Sequence, residues 1–252
     1  MLLAEMKWSE VAALSKDTPV VFPVAALEQH GRHMPLFTDS LLCGEVVRRA
    51  QERLADRVLF APLQWLGNSD HHLDFCGTLS AAPRTYLDLV GQLLENFISH
   101  GFRRLVIING HGGNDVPGRQ AVFELRQRHR HRRDLLLLFA TYWSLGGRPW
   151  EVDPALVQRQ MGHACEWETS MMLRIRPELV GDYAAAANVP FAMGFEPAAR
   201  GWITKDRSEP GHIGDPRHAT AAKGETLFRV FSDDVINLLQ RVLDWDGATW
   251  DG

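Results

Sequence analysis

Three short, unbroken apolar runs constrain this chain more than any other feature: residues 19–26 (PVVFPVAA), 104–109 (RLVIIN) and 134–141 (DLLLLFAT). A strand with one wet face alternates apolar and polar side chains, so runs of this kind predict mostly parallel strands covered on both faces. Between them the spacing turns helical. Tyr86, Leu89, Val90, Leu93, Leu94 and Phe97 fall on one helix face, and Gly101 follows as a stop. From Ser40 onward Leu41, Leu42, Val46, Val47 and Ala50 repeat the pattern, with Thr38 and Asp39 offering oxygens for the cap. Buried strands alternating with helices predict an α/β layered fold, whose ligands bind beyond the carboxyl ends of the strands.

The rest of the chain fits one domain spanning residues 1–252. Its 45% hydrophobic and 23% charged content is that of an ordinary globular protein. Residues 181–214 are rich in Gly, Pro and Ala without a sustained period and read as a long surface excursion, the kind of segment that forms lids and binding loops. Helical spacing returns over 219–243 through Leu227, Val230, Phe231, Val235 and Leu238. A net charge of -4 offers no general attraction to nucleic acid or to an anionic membrane, and the basic run at 126–133 (RQRHRHRR) reads as the solvated end of a helix. Cys43, Cys76 and Cys165 are scattered and odd in number, which fits a reducing, cytoplasmic setting. The N-terminal segment has neither the basic start nor the apolar run of a secretion signal, and no stretch approaches the ~20 apolar residues of a membrane span.

Chemistry gathers directly after the strands. The loop after the first run reads LEQHGRHMPLFTDS. Glu28 and His30 are two apart and share a side if the chain stays extended, and Asp39 can return to that side from the next helix. A mixed carboxylate and imidazole set suits zinc, manganese or a related divalent ion, and a carboxylate can bridge two of them. Taken alone, Glu28 and Asp39 read equally well as a loop acid and a helix cap. The loop after the second run, NGHGGND, presents His111 from a glycine-rich turn that Asn109 and Asn114 can brace. A third segment, GHACEWETSMML, predicts a helix beginning near His163, with His163 and Glu166 sharing a face and Glu168 pointing elsewhere. Acidic residues at a helix N-terminus also suit its dipole without further function. His33, His71, His72 and Ser69 are candidate substrate contacts, Cys165 a remote candidate nucleophile, and Trp65, Trp143 and Trp167 either pocket walls or packing residues.

Residues 28–39, 109–114 and 163–170, supported by 67–80 and 211–220, together resemble the creatininase family, the creatinine amidohydrolases. The resemblance implies a three-layer α/β sandwich with a mostly parallel central sheet. It also implies a homo-oligomer, a hexamer or trimer of dimers, and two divalent metal ions, zinc or manganese with iron possible. By similarity Glu28, Asp39 and His111 hold one ion, and His30 with the bridging Asp39 holds the other. Creatininase completes the second site with a glutamate two residues after its loop histidine, where this chain has Gly113; the missing acid is assigned to Glu166, with Glu168 as the alternative. Gly112 stands in place of a substrate-contacting tyrosine, Arg159 in place of a tryptophan that stacks on creatinine, and Cys76 in place of a proline. The implied reaction is attack of a metal-activated water on a C–N bond of a small molecule, with His163 delivering a proton and Glu168 orienting it. His33, Ser69 and His72 would bind the substrate. Family members act on cyclic amides, formamides, peptides and keto-sugars, so a lyase or isomerase acting on a keto-inositol, or a non-catalytic metal-binding protein, stands as the alternative.

Overall fold

The computed structural model describes residues 1–192 and 194–250. Strands β1 (Val20–Val24), β2 (Leu59–Phe60), β3 (Arg104–Asn109) and β4 (Leu136–Thr141) form one sheet in the order β2-β1-β3-β4, each neighbouring pair parallel. The three apolar runs are β1, β3 and β4. Helices α1 (Trp8–Ala13), α2 (Thr38–Leu54), α3 (Pro83–Ser99), α4 (Asp115–Arg128), α5 (Pro149–Val152), α6 (Glu166–Ile175), α7 (Thr204–Arg207) and α8 (Ala221–Asp244) cover both faces. Val21, Val106 and Ile108 enter one core with Leu42, Met171 and Phe231 from α2, α6 and α8. Their strand neighbours Val20, Phe22, Leu105 and Ile107 point to the other, with Tyr86, Leu94 and Leu125 from α3 and α4. This period-two split of an all-apolar strand is why the runs are unbroken. No helix among the described residues is long and apolar enough to cross a membrane.

The strand order sets where a ligand can bind. From β1 the chain moves to one side to make β2, then returns to place β3 on the other side of β1. The connections after β1 and β3 therefore diverge and leave a crevice at the carboxyl ends of these two strands. Val24 is level with Asn109, and the Gly110 amide donates to the Val24 carbonyl at 2.8 Å, so both loops leave the sheet at the same height.

Two local expectations differ from the structure, and a third gains detail. Helix α2 starts at Thr38, with Phe37 in the cap position and no side-chain cap; the Thr38 hydroxyl donates to the Pro35 carbonyl at 2.6 Å, and Asp39 is buried in the first turn. Helix α6 starts at Glu166, three residues later than expected. His163 lies outside it in an extended bridge, its amide donating to Ile213 O at 2.9 Å and accepting from Ile213 N at 2.7 Å, and Ala164 turns the chain with a φ of 49°. His163 and Glu166 thus do not share a helix face. The 181–214 excursion is fastened at both ends, by the Gly181 amide on the His33 carbonyl (2.7 Å) and by the Val189–Gly214 and His163–Ile213 bridges, and it folds back over the strand ends.

Candidate active site

Glu28, His30 and Asp39 come from the β1 loop and the start of α2, His111 from the β3 loop, His163 from the bridge before α6, and Glu168 from the first turn of α6. Their ligand-capable atoms converge in overlapping sets, Glu28 with His30 and Asp39, and His30 with His163 and Glu168, each within 4.8 Å. Asp39 is the shared partner: its Oδ1 lies 3.0 Å from His30 Nε2 and its Oδ2 lies 2.9 Å from His111 Nδ1. Glu168 Oε1 is 3.7 Å from His30 Nε2, and Glu28 Oε2 is 3.3 Å from His111 Nε2.

Backbone carbonyls orient the three histidines, at His111 through the same Nε2 that lies 3.3 Å from Glu28 Oε2. His30 Nδ1 donates to the Glu28 carbonyl at 3.1 Å, and His111 Nε2 to the Asn68 carbonyl at 2.9 Å, with Ser69 Oγ at 3.2 Å. His163 Nε2 donates to the Gln29 carbonyl at 2.7 Å. Fixing one N–H on a carbonyl sets the tautomer whose other nitrogen presents a lone pair to the cluster. His72 is held differently. Its Nδ1 sits 2.8 Å from the Gln29 amide nitrogen, and its Nε2 faces Glu28 Oε1 at 3.2 Å. The Gln29 amide also donates to the Gly211 carbonyl, tying the excursion to the site.

The residues fit divalent cations. Glu28 Oε2, Asp39 Oδ2 and Glu168 Oε2 are buried carboxylate oxygens with no hydrogen-bond donor; the 2.9 Å approach of His111 to Asp39 Oδ2 lacks the alignment of a hydrogen bond. Unpaired buried anions are costly, and metal coordination is one of the few arrangements that retains them. The charge pattern agrees. Burial works against imidazolium at His30 and His111, yet Asp39 and Glu168 hold His30 well above its ordinary value, and Glu28 and Asp39 hold His111 up to about 9. Burial raises the Glu168 carboxyl against the pull of His30, whereas at Asp39 His30 and His111 overcome burial and hold the acid well down. His163 is pushed well below its ordinary value by burial, then by His72 and His30, whose rings each lie 4.3 Å from its own. Burial likewise lowers His72 to about 3 and His71 to about 4.

Glu166, the residue assigned from sequence to complete the second metal site, does not reach the cluster. Its carboxylate takes the Lys223 ammonium at 2.6 Å and the amides of Val157 and Gln158 at 3.0 and 2.7 Å, a closed and fully buried arrangement between α6 and α8. Glu168 is the acid that faces the histidines. It does not orient His163, which the Gln29 carbonyl holds instead. Gly113 has no room for the carboxylate creatininase carries there, since a Cβ would meet Asn68 O at 2.1 Å and His111 Nε2 at 2.4 Å.

A cavity of about 670 Å³ opens over the cluster, lined on the cluster side by Glu28, Asp39, His72, His111, His163 and Glu168. His33 and Ser69 are not in its wall: His33 is buried with Nε2 3.1 Å from Thr169 Oγ1, and Ser69 is buried behind His111. His71 and Trp143 do line it, and Arg159 is exposed outside it. Trp167 is a core residue stacked on Trp150, and Trp65 is partly exposed. Cys165 is buried, its thiol raised to about 12 by burial and then by Glu168, which disqualifies it as a nucleophile. Phe191, Arg200, Trp202 and Arg207, all from the excursion, form the outer wall and were not singled out from sequence.

Residues 4–239 match the family described as creatininase, creatinine amidohydrolase. Several relatives align with most of the chain. A mycofactocin precursor peptide peptidase of Mycobacterium ulcerans (strain Agy99) is 32% identical over 95% of this chain and 92% of its own, and the creatinine amidohydrolase of Pseudomonas putida is 29% identical over 91% and 92%. A mutant creatininase complexed with creatine superposes with a TM-score of 0.82 at 27% identity, covering 96% of this chain and 98% of its own. A Zn-Zn form and a Mn form of creatininase each give a TM-score of 0.81 at 27% identity, covering 95% and 97%. With the sheet order, the converging carboxylates and this likeness along nearly the whole chain, the protein belongs to the creatininase family of amidohydrolases.

Proposed function

We propose that the chain cleaves the C–N bond of an amide with two divalent cations, zinc or manganese, held by Glu28, Asp39 and His111 on one side and by His30, Asp39 and Glu168 on the other. The observation that carries this reading is the set of three buried carboxylate oxygens, on Glu28, Asp39 and Glu168, that no donor satisfies. The Zn-Zn and Mn creatininases support the choice of metals. Bound in such a site, divalent cations lower the pKa of a water and polarise a carbonyl.

The protein's own residues do the rest. His163, anchored at Nε2 by the Gln29 carbonyl, turns the lone pair of Nδ1 toward Glu28 Oε1 at 3.6 Å, where it can take the proton released by the attacking water and return it to the leaving nitrogen. His72 sets its Nε2 3.2 Å from Glu28 Oε1, beside the carboxylate it helps to position. Trp143, Met161, Phe191 and Trp202 supply apolar surface to the cavity wall. The same reading places the enzyme in a reducing cytoplasm, where its three unpaired cysteines are stable, and as a homo-oligomer that covers the exposed Val116 and Phe123 of α4.

Elemental analysis combined with assay against lactams, formamides and short peptides tests this reading. Protein loaded with zinc or manganese is expected to hold two ions per chain and to hydrolyse at least one class, and chelation is expected to abolish both. Hydrolysis that persists in stripped protein, or a chain that takes up no ions, would refute it.

A further inference from the structure

The cavity does not end at the metal cluster. Met161, Phe191, Arg200, Trp202 and Arg207 line both the 670 Å³ cavity and a second one of about 550 Å³, so the two chambers share a wall. Glu28, Asp39 and Glu168 belong to the first chamber, and Arg200 and Arg207 belong to the wall that the two chambers share.

Arg207 is the more constrained of the two arginines. It is half-buried, stacked 4.7 Å over the Trp202 ring, and donates to the Phe191 carbonyl at 2.5 Å. Among the described residues no carboxylate lies within 4.0 Å of it, and burial lowers its pKa with no acid to offset the effect. A guanidinium carries five N–H donors, so one bond to a carbonyl leaves most of its fork unused. Arg200 sits 5.7 Å over Phe195 beside it. Glu196 and Asp206 also face the second chamber, but Asp206 is occupied by the Ile203 amide and neither reaches the arginines. A charged fork held by an aromatic ring, with no carboxylate paired to it among the described residues, matches the geometry by which proteins bind carboxylates.

We propose that Arg207, assisted by Arg200, recognises a carboxylate on an elongated substrate whose scissile amide lies at the metal cluster, as in a short peptide with a free terminal carboxylate. This rests on the amidohydrolase reading above. A small ring such as a five-membered lactam needs only part of the first chamber, whereas an extended chain would be long enough to reach the wall shared with the second.

The test uses hydroxamates, which chelate divalent cations whatever the natural substrate is. A series with alkyl linkers of increasing length, ending in carboxylate, carboxamide or phosphonate, is titrated by calorimetry into the zinc- or manganese-loaded full chain. At one or two linker lengths the carboxylate is expected to bind about tenfold or more tighter than the carboxamide. That gain should vanish in Arg207→Ala, shrink in Arg200→Ala and survive in part in Arg207→Lys, while the carboxamide compounds bind every variant as they bind the parent. Carboxamide binding with no gain from carboxylate at any length, or a gain untouched in Arg207→Ala, overturns the arginine site alone. A larger gain from phosphonate than from carboxylate overturns the carboxylate assignment. Failure of the carboxamide compounds to bind the metal-loaded parent removes the metal centre, and this inference with it.

Discussion

Two glutamates open helix α6 two residues apart, both buried, and they have opposite surroundings. Glu166 is closed, with an ammonium and two amides on its oxygens. Glu168 is open, with one oxygen lacking any donor and the other 3.7 Å from an imidazole nitrogen. Burying a charge costs several kcal/mol, and the cost is offset only by partners. Where the partners are present the acid is a brace; where they are missing from the folded chain, a cation from outside would supply them. The difference lies in what each side chain meets, and sequence position alone does not separate the pair.

The comparison can be broken most forcefully at the closed end. Glu166→Ala leaves Lys223 buried without a counter-ion and is expected to lower unfolding free energy by about 3–5 kcal/mol, measured as a fall in the urea midpoint; a variant as stable as the parent would show that the pair is no brace. At the open end the effect should move from stability to chemistry. Glu168→Gln is expected to stay folded, to drop from two bound ions to one, and to lose about 10²-fold or more in amide turnover, several kcal/mol of transition-state stabilisation; full ion occupancy by elemental analysis would hand the second site to another residue.

A smaller effect separates the neighbouring loop glycines. Gly113→Ala pushes a methyl group onto Asn68 O and His111 Nε2 and should cost about 1–3 kcal/mol, whereas Gly112 has nothing within 4 Å of its missing Cβ and its alanine variant should stay within about 0.5 kcal/mol. Equal thermal midpoints for the two variants would contradict that packing. The smallest effect concerns a paired glutamate near the surface. Glu225 accepts from Arg49 and Arg174, which hold its carboxyl down at about 2 against an ordinary 4.5. Because the folded value is depressed, the contribution is present above about pH 4.5 and disappears as the pH falls through about 2. Side-chain exposure of 45% leaves most of it screened, so Glu225→Gln should cost about 0.5 kcal/mol at pH 7 and nothing at pH 2. A pH-independent difference between variant and parent would remove the assignment.

Much of the architecture is legible before any coordinates. Strands β1, β3 and β4 are continuous apolar runs because both faces are covered, and α3 and α8 announce themselves by spacing. Strand β2 is not legible, since Leu59 and Phe60 are too few to carry a period. The start of α6 was placed too early because Ile213, fifty residues away in sequence, holds His163 extended, and no local pattern records that partner. The exchange of Glu166 for Glu168 has the same origin: Lys223 lies on another helix. Glu28, His30, Asp39 and His111 stand out in the sequence because they follow strand ends, where the fold gathers side chains. Arg200, Trp202 and Arg207 were missed because an excursion without period gives no hint of the surface it folds back upon.

The crevice between β1 and β3 has a further consequence. The groups that meet there come from residues 28 to 39, from 111, and from 163 to 168, segments that a denatured chain holds far apart. An ion taken up by them would act as a clasp joining both halves of the sheet with the opposite helical layer, and it would have little affinity for the open polymer. Resistance to heat would then follow the free concentration of the ion by mass action, so that scarcity of metal would weaken the scaffold as well as silence it.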